Sequence, residues 1–449
     1  MIIITCYIPK ELNEVSTYVL RIIEDRLEIK FDIRSERRIS YKFEYKQSSF
    51  DLQAKFVTNE YDNFLKKRVN IQYSLAQYIY INKVYLGIQS NENHEKEKIH
   101  QIDIIGTIFI LLSRYEEYIL TKVDNFDHLG RFKASKAINK DYLNRPIVDE
   151  LICLFKSMIE NEFSIRIAET ESKYKIIPSH DVDRPFEYLY YSKRHLLKRM
   201  AGDLISRRSF LDVLKRHRLY KDVQNGSLSR DPYNTFDWII KSSVKHDRKN
   251  IFFFLTYKTN KKYDQEYSIT NPEIQTLLLK INNAGHEIGL HPSFNSSLMS
   301  GQVQKEAEIL IAECEKIGIN INTLRSRYHY LRWNNKSVEE LENANIVIDQ
   351  TLTFAEYPGF RCGTCKCYPA FNFQKLEASK VMIEPLIIME QSLFSKSYLG
   401  LKDRMEDAWN VVVELRDQCR QHNGNFTLLW HNNQLVEPKM REFYEQCIT

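Results

Sequence analysis

The chain has 449 residues and a hydrophobic fraction of 43%, which is long enough and apolar enough for two or three packed domains. Its formal net charge of +5 is small for this length, and basic residues are interleaved with acidic ones, so there is no electrostatic case for a nucleic-acid partner. The longest apolar run, residues 104–112, is far short of the roughly 18 residues that span a bilayer.

The N-terminus and the cysteines bear on the compartment. Residues 1–8 predict a strand and not a signal peptide, because they lack a basic segment and a small-residue cleavage site. Eight cysteines scattered over a large chain favour reduced thiols. We therefore expect a cytoplasmic protein.

Residues 1–170 alternate short strand-like and helical runs, which predicts a smaller α+β domain of unknown function. The predicted strands are 43–45 and 78–81, and the predicted helices are 104–120 and 148–159. Residues 91–100 read as a charged loop. Residues 127–132 are polar and turn-like, which is more typical of a structural loop than of a binding site.

From residue 171 onward, strand-like and helical runs alternate regularly. The predicted strands are 174–177, 251–256, 286–291, 320–324, 346–348, 380–386 and 425–430. The predicted helices are 272–283, 306–316, 337–343 and 405–421. Strands separated by helices predict an α/β fold with parallel strands, here a distorted (β/α)7 barrel over residues 171–449. Residues 184–250 interrupt the alternation as a basic helical insertion after the first strand.

Two carboxylates follow the first strand of this part. Asp181 and Asp183 are two residues apart, so they share a face of an extended chain. Holding two carboxylates together is unfavourable unless a cation or a shared proton relieves it. Asp oxygens suit a divalent metal, and the second carboxylate could act as a base. The alternative is an Asx-rich turn that caps the next helix.

Polar residues also follow several later strands. In a β/α barrel the chemistry is built where strands end at the C-terminal face. Here the strand ends carry His291, Arg327 with His329, Asp349 followed by Arg361, and His431. Polar residues at so many strand ends favour a functional site over an isolated turn.

These motifs, in this order, resemble the polysaccharide deacetylase (NodB-homology) fold of carbohydrate esterase family 4. They are more closely similar to its bacterial branch that carries an N-terminal domain of unknown function. The resemblance covers about residues 171–449. It rests on the pair Asp181 and Asp183, on Gly-His-Glu-Ile-Gly-Leu-His at 285–291, and on Leu-Trp-His at 429–431.

The resemblance implies a role for each matching residue. Asp181 would be the catalytic base, with Arg327 orienting it, and His431 would be the general acid. Asp183 and His291 would ligate a divalent metal, expected to be Zn²⁺. Leu429 would line the pocket for the acyl methyl group. Further candidates for substrate contact are Trp430, Arg361 and His180.

One position departs from the family pattern. The family's second metal-binding histidine is expected four residues after His291, where this chain has Asn295. Imidazole suits Zn²⁺ better than an amide oxygen does. Either Asn295 ligates through its carbonyl, or another residue completes the site. His329 is the leading candidate and His180 the other, although His180 could instead support the Asp pair from behind.

The function implied is metal-assisted hydrolysis of an N-acetyl (or O-acetyl) group on a sugar. A cytoplasmic enzyme cannot reach assembled wall polymer, so we expect a soluble, nucleotide-linked or lipid-linked precursor of surface polysaccharide. Asn295 motivates an alternative, a catalytically silent deacetylase-like protein that binds glycan or serves as a scaffold. A third possibility is a different amide hydrolase on the same barrel.

The run Cys362-Gly-Thr-Cys365-Lys-Cys367 is a candidate for a second metal site. Structural zinc sites usually draw four ligands from two pairs, and no matching second pair is nearby in the sequence. We predict a loop with free thiols.

Overall fold

The computed structural model describes residues 2–54, 103–168, 172–206, 210–334 and 336–449. The strand predicted at 78–81 and the loop predicted at 91–100 lie outside these residues. No helix in the described ranges is long and apolar enough to cross a membrane.

The elements are numbered here in chain order. Up to residue 163 they are β1 (Ile3–Pro9), α1 (Asn13–Leu27), β2 (Lys30–Glu36), β3 (Ser40–Tyr45), β4 (Ser48–Gln53), α2 (Ile104–Ser113), α3 (Tyr115–Ile119) and α4 (Ile147–Phe163). From there to residue 290 they are β5 (Lys175–Val182), α5 (Lys193–Ser206), α6 (Phe210–Gln224), α7 (Phe236–Lys245), β6 (Ile251–Phe254), α8 (Pro272–Asn283) and β7 (Glu287–Leu290).

The remaining elements complete the chain. They are α9 (Gln302–Lys316), β8 (Arg325–Ser326), α10 (Ser337–Asn343), β9 (Ile348–Asp349), β10 (Tyr368–Asn372), β11 (Glu377–Ile383), β12 (Ile388–Met389), α11 (Glu390–Phe394), α12 (Met405–Gln421), β13 (Asn425–Leu429) and α13 (Pro438–Ile448). The fold is therefore mixed α/β.

The chain packs as two compact units. Unit 1 consists of residues 1–175, 331–342 and 347–426, and unit 2 consists of residues 176–330, 343–346 and 427–449. The domain boundary predicted at residue 170 and the closure of a barrel both stay predictions.

Unit 1 contains a four-stranded sheet in the order β2-β1-β3-β4. β1 pairs with β2 in parallel and with β3 antiparallel. Alternate β1 residues Ile4, Cys6 and Ile8 are fully buried, which is the two-residue period of a strand with one face in the core. The ring of Phe43 on β3 meets Phe155 on α4 edge to face at 5.1 Å. Sheet and helices thus form the small α+β arrangement expected for this region.

Unit 2 holds the strands that position the candidate site. β5, β6, β7 and β8 pair in parallel, in that order, and β13 lies beside β5. All four residues of β6, Ile-Phe-Phe-Phe, are buried, as expected for a parallel strand covered on both faces. Burying one such side chain contributes roughly 1.5–3 kcal/mol.

Gly289 on β7 allows a close approach that matters for the site. A Cβ atom there would lie 2.6 Å from the ring of Phe253 and 3.1 Å from the carbonyl oxygen of Arg325. Only glycine leaves room for the Phe253 ring to lie across β7.

The structure confirms several predicted helices and corrects two elements. Helices at 272–283, 337–343 and 405–421 have the predicted bounds, and residues 184–250 are largely helical. The single helix predicted over 104–120 is wrong, because it breaks at Arg114, which has a left-handed φ of 56°. The strand predicted at 320–324 is also wrong. The strand is β8, where Ser326 pairs with Leu290, beyond the polar residues Asn320 and Asn322.

Candidate metal centre

The register of unit 2 brings strand ends together. Val182 pairs with Phe254, Phe254 with Leu290, and Leu290 with Ser326. The residues that come next on β5, β7 and β8 are Asp183, His291 and Arg327. Because parallel strands in register end at one edge, the side chains that follow them share that edge.

Asp183, His291 and His329 form the centre of the cluster. One ligand atom from each lies within 4.8 Å of the others. Oδ1 of Asp183 is 3.3 Å from Nε2 of His291 and 3.6 Å from Nε2 of His329. Both imidazoles are buried, and the Asp183 side chain keeps 27% exposure. Of the three side chains, that of Asp183 is therefore the one nearest to solvent.

The other nitrogen of each imidazole has a fixed acceptor. Nδ1 of His291 donates to the carbonyl oxygen of Arg327. Nδ1 of His329 donates to Oδ1 of Asp264 at 3.0 Å. Hydrogen bonds of this kind set the tautomer, so in the neutral rings both Nε2 lone pairs face Asp183.

Charge in the cluster attracts protons as well as cations. Burial raises the pKa of Asp183, but the neighbouring His329, His291 and His431 outweigh it and hold the pKa well below its usual range. Burial lowers the pKa of His329, but Asp183 and Asp264 outweigh it and raise the pKa to about 9. At neutral pH a proton on His329 therefore balances the carboxylates until another cation replaces it.

The donor set fits a divalent metal. Oδ1 of Asp183 and Nε2 of His291 are both buried without a hydrogen-bond partner among the described residues. With the His291 proton on Nδ1, these two atoms are acceptors that face each other at 3.3 Å, which is repulsive unless a cation lies between them. Two imidazole nitrogens and one carboxylate oxygen, with a position left open, are typical of catalytic zinc.

Asp181 is held in place by Arg327. Nη1 of Arg327 donates to Oδ1 of Asp181 at 2.8 Å, and Nη2 donates to Oγ of Ser179 at 2.7 Å. The guanidinium also lies 4.5 Å from the centre of the Phe253 ring, the ring that Gly289 makes room for. Arg327 is fully buried, so its orientation is fixed by these contacts. Oδ2 of Asp181 remains 3.7 Å from Nε2 of His291, at the edge of the cluster.

The third motif supplies His431 from the segment after β13. Its Nε2 atom is 3.5 Å from Oδ2 of Asp183, on the opposite carboxylate oxygen from the imidazoles of His291 and His329. Leu429, two residues earlier, is buried. The Trp430 side chain is fully buried and packs against Phe443 and Tyr444, so it is not available for the predicted contact with substrate.

His180 is a core residue and not part of the site. Its Nδ1 atom lies 2.7 Å from the carbonyl oxygen of Trp430, and its Nε2 atom lies 3.2 Å from the hydroxyl of Tyr444. Its ring stacks on Phe252 at 4.9 Å. Burial lowers the pKa of His180 to about 3, so it is neutral. Neighbouring strand residues face opposite sides, so His180 points away from Asp181. The structure therefore does not support the predicted contact of His180 with substrate or metal.

Asn295 is engaged with the loop after β6. Its side-chain amide donates to the carbonyl oxygen of Thr259 at 3.2 Å, and its backbone N–H donates to Oγ1 of the same residue at 2.9 Å. Among the described histidines, cysteines and carboxylates, His329 is the residue grouped with Asp183 and His291.

Arg361 belongs to unit 1, and the candidate site lies within unit 2. Its buried guanidinium contacts both carboxylate oxygens of Glu117, at 2.8 and 2.7 Å, and donates to the carbonyl oxygen of Thr353 at 2.7 Å. These contacts leave the predicted substrate contact of Arg361 without support. All eight cysteines are free, as expected, and Cys362 and Cys365 are buried.

Two contributing residues were not predicted from the sequence. Ser179 could have been found, because it lies two residues before Asp181 and so on the same face of β5. Asp264 had no such signal, because it lies in a loop ten residues beyond the end of β6. That loop is fixed by Asp264 itself, which accepts from the backbone N–H groups of Thr259, Asn260 and Phe294.

The chain resembles known proteins in two ways, through a family model at its N-terminus and through solved structures. Residues 4–164 match the model of a family of unknown function, DUF7033. A search of curated proteins found no match. Solved structures similar to this chain include three with TM-scores of 0.39 or less, and a likeness of this extent carries no argument about activity.

The first is a protein from Mycobacterium smegmatis described as a polysaccharide deacetylase, with 14% identity, a TM-score of 0.39, and coverage of 63% of this chain and 87% of that one. The second is Puue allantoinase, with 10% identity, a TM-score of 0.35, and coverage of 61% and 82%. The third is a protein from Pseudomonas aeruginosa PAO1 described as a polysaccharide deacetylase, with 11% identity, a TM-score of 0.35, and coverage of 61% and 83%.

Proposed function

We propose that this protein is a metal-dependent hydrolase that removes an acetyl group from a sugar or glycan precursor. The observation that carries the proposal is the pair of unpartnered acceptors, Oδ1 of Asp183 and Nε2 of His291, which face each other at 3.3 Å. His329 completes a set of three ligands around them. The motifs at 181–183, 285–291 and 429–431, which resemble polysaccharide deacetylases, give the reaction class.

In this proposal Asp183, His291 and His329 hold the metal, with Zn²⁺ suited to the donors. A bound divalent cation lowers the pKa of a water ligand and polarises an acyl carbonyl. The fold proposed for residues 171–449 is the distorted (β/α)7 barrel, preceded by the N-terminal domain over residues 1–170.

Asp181 is proposed as the general base. It would take a proton from the attacking water while Arg327 holds its other oxygen at 2.8 Å. The resulting tetrahedral species loses the amine, or the alcohol of an ester, when His431 donates a proton to the leaving atom. Leu429 is proposed to contact the acyl methyl group. The products are acetate and the free amine or hydroxyl of the sugar.

A cytoplasmic location and a substrate in surface polysaccharide biosynthesis are part of the proposal. The silent, glycan-binding alternative was motivated by Asn295 in place of a histidine. The grouping of His329 with Asp183 and His291 supports the hydrolase over that alternative, because a second imidazole is available from another strand end.

The test is acetate release from a panel of N-acetylated and O-acetylated sugar nucleotides by zinc-loaded protein. We expect release from at least one member of the panel. Asp181→Asn should slow turnover by about 10²–10⁴-fold, the usual contribution of a general base, with zinc content unchanged. Asp237→Asn, a change of the same type at an exposed carboxylate, should have no effect. Full zinc occupancy with no release from any substrate would favour the silent alternative.

A further inference from the structure

Helices α5 and α6 of unit 2 carry exposed apolar side chains that the proposed hydrolase does not use. Of the sixteen large apolar side chains exposed among the described residues, six lie on these two helices: Leu197, Leu204, Ile205, Phe210, Leu211 and Leu214. Ile205 and Leu211 are 76% and 78% exposed. We call this set the hairpin surface. A concentration of this kind marks an interaction site more often than scattered single residues do.

The hairpin surface is not the inward face of the two helices. That face is formed by other residues: α5 buries Leu196 and Asp203, and α6 buries Val223. Arg216 of α6 fixes the pair, since it contacts Asp203 at 2.6 Å and Glu187 at 3.0 Å. The helices are thus packed through one face while the apolar residues of the hairpin surface point to solvent.

Basic residues share the exposed side of both helices. On α5 they are Lys193, Arg194 and Lys198, and on α6 they are Lys215, Arg218 and Lys221, all exposed. Spacings of three and four residues, as from Arg194 to Leu197 and from Leu214 to Arg218, place cations beside apolar side chains. The helices carry three acidic residues against these six cations: Asp203 is held by Arg216, Asp222 is held by Arg230 at 2.6 Å, and Asp212 is half-buried. The exposed side is therefore apolar and positively charged.

The two kinds of residue are also distributed along the helices. Leu204, Ile205, Phe210 and Leu211, which we call the apolar tip, lie in the last turn of α5 and the first turn of α6. Lys193, Arg194, Arg218 and Lys221 lie toward the opposite ends. An apolar tip with cations behind it matches the boundary between acyl chains and phosphate headgroups.

We propose that the hairpin surface binds an anionic phospholipid bilayer. Its apolar tip would lie at the acyl boundary, and its cations would contact lipid phosphates. Charge complementarity favours this occupant over a second copy of the chain, because two copies meeting through this surface would oppose like charges. Each lysine or arginine near an anionic leaflet strengthens binding about fivefold. The inference does not depend on the proposed hydrolase chemistry.

Flotation of the full chain with lipid vesicles tests the proposal. We expect binding to vesicles of phosphatidylcholine mixed with phosphatidylglycerol, little binding to phosphatidylcholine alone, and release by high salt. Combined Leu204→Ser, Ile205→Ser, Phe210→Ser and Leu211→Ser should abolish binding. Lys193→Gln, Arg194→Gln and Lys198→Gln should each weaken it about fivefold. All of the substituted residues are exposed, so circular dichroism should show unchanged folding.

The matched control is Val244→Ser with Leu298→Ser, two changes at exposed apolar residues elsewhere in unit 2, which should leave binding unchanged. Absence of binding to the vesicles that contain phosphatidylglycerol overturns the proposal. Equal binding to both vesicles, unaffected by the glutamine variants, also overturns it. Conversion of a dimer to a monomer by the four serine changes, seen by light scattering without lipid, would instead identify the surface as a protein interface.

Discussion

Two buried clusters of charged side chains, one in each unit, look alike in composition and differ in how their polar atoms are used. In unit 1, Arg114 and Arg361 contact Glu116 and Glu117. In unit 2, Arg327 contacts Asp181, and Asp183 faces two imidazoles. Burial and charge are similar in the two places.

The unit 1 cluster is self-contained. Arg114 donates to Glu117 at 2.8 Å and to the carbonyl oxygen of Arg361 at 2.5 Å. Glu116 also accepts from the backbone N–H of Ile138 at 2.7 Å. Burial raises the pKa of Glu117, but Arg361 and Arg114 outweigh it and lower the pKa below its usual range. Donors and carboxylates are matched, so this cluster stabilises structure.

The unit 2 cluster is not matched in this way. It has acceptors that face one another, Oδ1 of Asp183 and Nε2 of His291, with the tautomer of His291 set from behind. The comparison shows that buried charge alone does not identify a site. Lone pairs that lack a donor, on side chains fixed by further hydrogen bonds, are a better indication of a metal site. The predictions below test that distinction.

The largest expected effect is that of Asp183→Asn on zinc affinity. Removing the charge of this carboxylate should weaken zinc binding by more than the 10–100-fold typical of losing an outer partner, with the fold retained. Isothermal titration with Zn²⁺ measures it. Retention of the parent affinity would contradict the role of Asp183.

The corresponding change in the unit 1 cluster, Glu117→Gln, should act on stability. Breaking these buried ion pairs leaves Arg114 and Arg361 with Glu116 as the one remaining carboxylate of the cluster, and should lower the free energy of unfolding by about 3–5 kcal/mol. Chemical denaturation measures the loss. Zinc binding by the folded variant should match the parent protein; a loss of zinc affinity here would erase the distinction between the clusters.

Asp264→Asn tests the support of His329. An amide in place of the carboxylate weakens the acceptor for Nδ1, and zinc affinity should fall about 10–100-fold. Asn295→Ala is the matched control in the same neighbourhood. It removes the amide contact with Thr259 and should cost about 1 kcal/mol of stability with zinc affinity unchanged. If Asn295→Ala has the larger effect on zinc, Asn295 and not His329 is the ligand.

A smaller effect follows from pH. The pKa of His329 is about 9 without metal, so at neutral pH zinc must displace its proton. Zinc affinity should therefore fall up to about tenfold for each unit that the pH drops below 9, with about one proton released per ion bound. Titrations in buffers of different ionisation enthalpy measure the proton. His329→Gln should remove the released proton and flatten the profile; an unchanged profile would show that another group titrates.

Much of unit 2 could be predicted from the sequence because its signals are local. Apolar runs separated by helices indicated parallel strands, and the proline and glycine around residues 272–285 marked the ends of α8. The two-residue spacing of Asp181 and Asp183 and the motif ending in His291 indicated a metal site at the strand ends.

The sequence could not determine which side chains would be used elsewhere. His180, Trp430 and Arg361 were all candidates, and their burial against Tyr444, Phe443 and Glu117 depends on residues distant in sequence. Arg114 broke an apolar helix for a similar reason, since its charge is matched within a tertiary cluster.

The sequence by itself determined the alternation of strands and helices and the carboxylates, histidine and arginine at the strand ends, because these depend on spacing along one chain. Only the tertiary structure identified a candidate for the third ligand. His329 becomes a candidate because β8 pairs with β7 and because Asp264, from a loop ten residues beyond β6, fixes its ring. Asn295, at the expected spacing, is instead directed to Thr259. Hydrogen bonds between distant segments, and not spacing, decide which nitrogen lone pair faces Asp183.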